Sequence, residues 1–320
     1  MISDRRAPEG FAGWPPPVLD PAGPFAGPVT LLSWVLLAMG VVVLVVVLVA
    51  LGIALFGPRR WRARLGGVRL VWIGGLAFPV VVLSALLVYG LGLTSHLTEA
   101  PRAGELRIRV TGEMWWWRVA YLDEQGREVV QDANEIHIPA GRPVVFELES
   151  ADVIHSFWVP RLGGKTDMIP GRRNILRLQA DAPGVYGGQC AEFCGGPHAL
   201  MGLVVVVHAP EAFEAWRSRR LEPSRQAALP SRGAEVFTAA GCGACHTISG
   251  TSANGLAGPD LSFVGARRTI GGGILPNNQG TLAGWISDSQ AIKPGNRMPA
   301  YPVLSGEDLR AVSAYLESLK

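Results

Sequence analysis

At 320 residues with 48% hydrophobic side chains, the chain has room for a membrane anchor and one or two outer domains, but not for a large catalytic barrel as well. Twenty-nine Lys and Arg against 26 Asp and Glu leave a formal charge of only +3. The arginines cluster locally instead of forming a long polybasic tract, which argues against nucleic acid as a partner.

In chain order, a Pro/Gly-rich N-terminal segment, residues 1–28, precedes two apolar stretches: residues 21–58 contain no Asp, Glu, Lys or Arg, and neither do residues 70–98. Each is long enough to cross a bilayer. A helix from Val29 to Phe56 would run roughly 42 Å against a hydrocarbon core of ~30 Å, leaving room for tilt and interfacial ends. The valine run Val41 to Val49 would suit a strand, but strands rarely exceed ten residues. Pro79 inside the second stretch is tolerable in a membrane helix. A transmembrane hairpin over 29–98, with lipid as a partner, is therefore predicted. Arg59, Arg60, Arg62, Arg64 and Arg69 in the short connection should face the cytoplasm, leaving both termini and everything after about His96 outside. The first stretch is too long for the apolar region of a signal peptide, although trimming of the first 28 residues stays open.

Residues 99–208 change to short alternating runs. Leu106 to Val110, Val144 to Leu148 and Leu203 to Val207 read as strands of a small antiparallel sandwich or barrel. Its last part contains Cys190-Ala191-Glu192-Phe193-Cys194-Gly195-Gly196-Pro197-His198-Ala199-Leu200-Met201. Two thiols, an imidazole and a thioether in so short a run select copper over magnesium or calcium, and a weak methionine ligand is a copper habit more than a zinc one. Gly195, Gly196 and Pro197 would break a helix, so the ligands sit on a loop. A further imidazole is wanted, and His155, at a strand end, is the best candidate. Zinc on Cys190, Cys194 and His198, or a structural disulfide, are the alternatives. His96, His137 and His208 are read as ordinary interface, surface or strand residues.

Residues 209–230, with a short helix predicted at Pro210 to Leu221, form an interdomain linker. The remainder, 231–320, reads as helical with Gly-rich loops. Ser305 and Asp308 resemble a capping box, and Leu309, Val312, Leu316 and Leu319 make one apolar face of a terminal helix. Cys242-Gly243-Ala244-Cys245-His246 is the covalent c-type haem attachment sequence. Two thiols add to the two vinyl groups of one porphyrin, and His246 becomes an axial ligand. Met298 is the only methionine downstream and is the sixth ligand by elimination. A disulfide or half a zinc site also uses Cys-x-x-Cys, but no second ligand pair with zinc spacing lies nearby.

These residues carry a resemblance. Gly233, Phe237, the CGACH motif, Gly258-Pro259-Asp260-Leu261 and Met298 resemble a class I cytochrome c. The paired helices, Trp115-Trp116-Trp117, the segment Asp152 to Pro160, Lys165 to Arg172 and the cysteine loop resemble subunit II of cytochrome c oxidase, and their fusion resembles the caa3-type oxidases. The resemblance implies a multidomain membrane protein: a two-helix transmembrane hairpin, an all-β cupredoxin-like barrel and an all-α class I cytochrome c. It implies a dinuclear copper (CuA) centre bridged by Cys190 and Cys194, with His155 and the Glu192 carbonyl on one ion and His198 or Met201 in the remaining positions. It further implies that the Glu192 side chain helps bind magnesium shared with subunit I, and that Trp115 is the point of electron entry. Met114 stands where the family commonly has glutamine, and the second helix lacks the glutamate that many relatives place at the mouth of a proton path. Electrons would run from haem c to copper to subunit I, where oxygen is reduced to water. The implied setting is a bacterial inner membrane, with subunit I and other oxidase subunits as partners and soluble cytochrome c or a quinol-oxidising complex as donor. Two rivals are a CuA-containing nitric oxide reductase subunit and a non-enzymatic copper-delivery protein.

Overall fold

The long valine-rich stretch is helical. In the computed structural model, which describes residues 16–97, 102 and 104–320, α1 (Gly27–Phe56) runs straight through Val41 to Val49. A single helix satisfies its own backbone N–H and C=O groups along the whole span, which outweighs the strand preference of valine. None of its residues is buried within the protein, and an 18-residue stretch of it reaches a mean hydropathy of 3.2, which suits a lipid surround. The arginines follow on α2 (Arg59–Leu65) and at the start of α3 (Val68–Trp72). A widened π-turn, Ile73–Ala77, separates α3 from α4 (Phe78–Leu97). It ends two residues before Pro79, so the hydrogen-bond register changes close to where the missing N–H would leave a gap. These helices form one unit and the rest of the chain another. Residues 1–15 and the predicted 98–99 boundary lie outside the described residues, as does the side chain of His96.

The second unit begins with ten strands: β1 (Leu106–Glu113), β2 (Trp116–Leu122), β3 (Glu128–Ala133), β4 (Glu135–Pro139), β5 (Val144–Ser150), β6 (His155–Trp158), β7 (Thr166–Met168), β8 (Asn174–Leu178), β9 (Gly184–Cys190) and β10 (Gly202–His208). They make two five-stranded sheets, ordered β3-β2-β1-β5-β8 and β4-β10-β9-β6-β7. All three predicted strands are present and longer than predicted. The sheets are not purely antiparallel as expected, because β1 pairs with β5 and β4 with β10 in parallel. The chain leaves each sheet, adds strands to the other and returns in its original direction. Alternate side chains from both sheets, among them Ile108, Trp117, Ile136, Phe146, Leu148 and Phe157, fill the space between them with no exposed surface. The residues preceding α1 join this unit: Ala22 N–H donates to Arg161 O at 2.7 Å and Asp181 N–H to Ala22 O at 2.9 Å.

Within 209–230, α5 (Pro210–Arg220) buries Phe213 and Trp216 in the same core as the sheets. Beyond it come α6 (Arg232–Ala239), the two-residue strands β11 (Thr269–Ile270) and β12 (Leu275–Pro276), then α7 (Gln279–Ser287), α8 (Ser289–Ile292) and α9 (Gly306–Ser318). The Ser305 hydroxyl accepts from Asp308 N–H at 3.1 Å, capping α9 as expected, and Val312, Leu316 and Leu319 are buried. Helices α6 and α9 cross at Gly233, where the backbone of Ala311 comes so close that no side chain fits. A Cβ on Gly233 would lie 2.5 Å from Tyr315 Cβ. Gly233→Ala is therefore expected to cost about 1–3 kcal/mol through overpacking. An unchanged unfolding midpoint by calorimetry would show that the helices can part without loss.

Candidate functional site

The cysteine loop hangs between the end of β9 and the start of β10, and Cys190 N–H closes its base on Met201 O at 2.9 Å. Gly195, with φ +108°, breaks any helix, and a short turn over Gly196–Leu200 brings His198 back beside Cys194. The result is a chain of donors. Cys190 Sγ lies 3.7 Å from Cys194 Sγ, 3.9 Å from His155 Nδ1 and 3.2 Å from Glu192 O. Cys194 Sγ lies 3.5 Å from His198 Nδ1 and 3.8 Å from Met201 Sδ. Cys190, Cys194, His155 and Met201 are all buried.

That separation leaves the sulfurs unbonded, since a disulfide needs about 2.05 Å. Six converging donors, five of them soft or borderline, exceed the tetrahedral set of zinc and fit a pair of coppers. The contact with Cys194 Sγ, with further hydrogen bonds to His155 and the backbone, lowers the Cys190 pKa to about 3. The neighbouring Cys190, together with burial, pushes the Cys194 pKa upward. Metal binding would displace any thiol proton and leave both sulfurs as thiolates.

His155 enters from β6 and is aimed by Asp152, whose Oδ1 lies 2.8 Å from Nε2. With the carboxylate as acceptor the ring proton sits on Nε2, and the Nδ1 lone pair faces the sulfurs. Gly112 leaves the space the ring needs, because a Cβ there would lie 2.7 Å from His155 Cδ2. Burial works to raise the Asp152 pKa, but hydrogen bonds from His155 and the N–H groups of Met114 and Val153 hold it below the usual carboxylate range. The half-exposed Glu192 carboxylate lies 3.9 Å from Lys165 Nζ.

The second candidate site is a cavity of about 330 Å³, lined by Cys242, Cys245, His246 and Met298 together with apolar groups such as Leu282 and Ile286. His246 Nδ1 donates to Pro259 O at 2.8 Å, leaving Nε2 as the ligating nitrogen. Burial lowers the His246 pKa, keeping the imidazole in its neutral, ligating form. Met298 is fixed through its backbone, with N–H donating to Asn296 Oδ1 at 2.8 Å and its carbonyl accepting from Ser289 Oγ at 2.8 Å. An apolar cavity with paired thiols, an imidazole and a thioether suits a covalently held haem.

Three tryptophans in sequence take different places. Trp117 is core, packed edge-on to Phe157 at 5.7 Å between ring centroids. Trp115 and Trp116 line the same cavity with Met114. Trp115 Nε1 also donates to Cys194 O at 2.8 Å, so one indole touches both candidate sites.

Sequence reasoning missed the residues that join the sites. Arg267 Nε donates to the buried Asp132 at 2.6 Å, Arg268 N–H to Glu135 at 2.7 Å, and Lys293 to three carbonyls. His137 and His208 are strand residues, as expected: His137 is buried, stacks on Trp216 at 4.2 Å and lies 2.9 Å from Glu135, and the partly buried His208 stacks beside it. They stand apart from both candidate sites.

Residues 119–208 match the family model described as the periplasmic domain of cytochrome c oxidase subunit II, and residues 230–320 match that of cytochrome c. The chain is 41% identical to cytochrome c oxidase subunit 2 of Alkalihalophilus pseudofirmus over 75% of its own length and 70% of the relative's. It is 30% identical to the Bacillus subtilis protein of that name, over 75% and 71% respectively. The crystallised periplasmic domain of cytochrome oxidase subunit II from Bradyrhizobium japonicum is 31% identical and aligns with 38% of this chain and 96% of that domain, at a TM-score of 0.35.

The geometry around His155 generates a test. Asp152→Ala frees the imidazole to rotate and swap its proton between nitrogens, so copper retention against a chelator should weaken about 10–100-fold. Retention equal to the unaltered protein would mean that Asp152 does not orient the ligand.

Proposed function

Because the chain belongs to the cytochrome c oxidase subunit II family, in the form that carries a C-terminal cytochrome c domain, we propose that it is the oxidase's internal electron relay. It is a membrane protein with an extracytoplasmic redox domain, and as a subunit II it works in complex with subunit I. When bound, haem c and a dinuclear copper centre each supply one-electron carriage, so that electrons travel from the first to the second and on to subunit I for the reduction of oxygen.

In this reading Cys242 and Cys245 tether the porphyrin, and His246 and Met298 ligate its iron. Cys190 and Cys194 would hold the copper pair between them, with His155 and the Glu192 carbonyl, and His198 and Met201, as the further residues that would bind it. The single observation that carries the relay is the position of Trp115, whose ring lines the cavity of His246 and Met298 while its N–H binds the carbonyl of Cys194. Trp115 is accordingly the point of electron entry to the copper site. Tethering donor and acceptor in one chain replaces diffusional encounter by a high effective concentration.

The finer assignments follow the same reading. The arginines of α2 and α3 face the cytoplasm of a bacterial cell, and both termini lie outside. That the residues just before α1 hydrogen-bond to the sheet unit supports this, since a two-helix hairpin returns the chain to its starting side. Soluble cytochrome c or a quinol-oxidising complex delivers electrons to the haem. The half-exposed Glu192 carboxylate contributes to a magnesium site completed by subunit I.

Electron paramagnetic resonance with metal analysis tests the proposal on the assembled oxidase. One covalently bound iron and two coppers sharing a single unpaired electron are expected in this subunit. Cys194→Ser should abolish the shared-electron signal and leave the haem spectrum intact; a mononuclear copper signal or a lone zinc in the unaltered protein would refute the reading.

A further inference from the structure

We propose that Lys293 is a positioning residue whose buried ammonium fastens the cytochrome domain to the copper loop and holds the haem cavity against Trp115. This rests on the relay reading above. Lys293 follows α8 and is 2% exposed. Its Nζ donates to Trp115 O at 2.6 Å, Leu200 O at 2.8 Å and Gly271 O at 2.9 Å. An ammonium has three N–H bonds, and all are used. The acceptors come from three separate places: the aromatic turn between β1 and β2, the copper loop beside Met201, and the β11–β12 hairpin of the cytochrome domain.

Among the described residues no carboxylate pairs with Lys293. A buried cation held only by carbonyl dipoles is a costly choice wherever packing alone is needed, because an apolar side chain would serve better. What the ammonium supplies is direction, since three fixed acceptors define one docking geometry.

A second, independent feature points to the same junction. Gly271, Gly272 and Gly273 have φ of +70°, +85° and +82°, and they form the tip of the β11–β12 hairpin. A Cβ on Gly272 would lie 2.8 Å from Lys293 Nζ and 3.3 Å from Leu200 O, and one on Gly273 would lie 3.2 Å from Gly202 C. Bare backbone is what lets this tip reach the copper loop, where Gly272 O accepts from Gly202 N–H at 2.8 Å. Trp115 is thereby held at two points, its carbonyl by Lys293 and its indole N–H by Cys194 O.

The test uses the assembled oxidase carrying Lys293→Met, which keeps the bulk and removes the donors. Four quantities are read: haem and copper content, the midpoint potential of each centre, the haem-to-copper transfer rate after flash reduction of the haem, and amide exchange at Gly202. With content and potentials unchanged, the rate should fall roughly tenfold or more, as expected when a reacting pair is misplaced by about an ångström. Exchange at Gly202 should rise roughly tenfold or more as the junction opens. An unaltered rate or an unaltered exchange overturns the proposal, and so does a rate that falls only with a shifted potential, since Lys293 would then act on the centres themselves. Gly272→Ala, which intrudes on the same ammonium from the other side, is judged by the same criteria and decides the matter if Lys293→Met fails to assemble. Absence of haem-to-copper transfer in the unaltered protein would instead remove the relay reading beneath the proposal.

Discussion

The loop from Cys190 to Met201 must be rigid before it can do anything else, and its rigidity comes from the β9–β10 pair. Cys190 closes one strand and Met201 precedes the other, and the hydrogen bond between their backbones clamps the loop at its base. Two thiols are thus presented side by side in a dry setting, where they would otherwise repel on ionisation. Three contacts that link the copper site to the haem cavity are built on this loop. Trp115 hangs from the carbonyl of Cys194, Lys293 from that of Leu200, and the glycine tip from the amide of Gly202. A slip of one residue between β9 and β10 would turn alternate side chains to the wrong face and displace all three anchors together.

Short local motifs were legible because their chemistry fixes their spacing. The CGACH pentapeptide and the cysteine loop each announce their donors within a dozen residues, and Met298 followed because no other downstream methionine competes. The membrane helices were legible from length alone. Strand direction was not, since alternation reveals that a segment is a strand without revealing which neighbour it pairs with, and β1 with β5 and β4 with β10 run parallel. Nor did the polar composition of 209–230 disclose that Phe213 and Trp216 anchor α5 in the sheet core, because two apolar residues in a charged segment carry no periodic signal.

The junction between the redox domains was illegible for a different reason. Lys293 binds carbonyls, and a carbonyl leaves no trace in residue type, so nothing in the sequence around Trp115, Leu200 or Gly271 marks them as its partners. Asp132 and Arg267 are far apart in sequence, and their pairing is visible only once both domains are folded. Burial alone would raise the Asp132 pKa, yet Arg267 and Arg220 hold it below the ordinary carboxylate value, so the pair stays charged. Asp152 was the nearest to being readable, three residues before His155, but its role depends on a turn that brings its carboxylate back to the ring.

The chemistry of this junction follows from the tether. Two separate proteins must gain enough apolar burial on docking to overcome lost translational freedom. A domain joined through α5 to its partner has already lost most of that freedom, so its contacts can be chosen for orientation. Directional contacts do this better than apolar ones, which allow sliding at little cost. Arg267 on Asp132, Arg268 on Glu135, Arg118 on Leu256 O and Lys293 on its carbonyls are all of the directional kind. They fix an angle and a separation between the cysteine loop and the haem cavity, as the proposed passage of an electron through Trp115 would require.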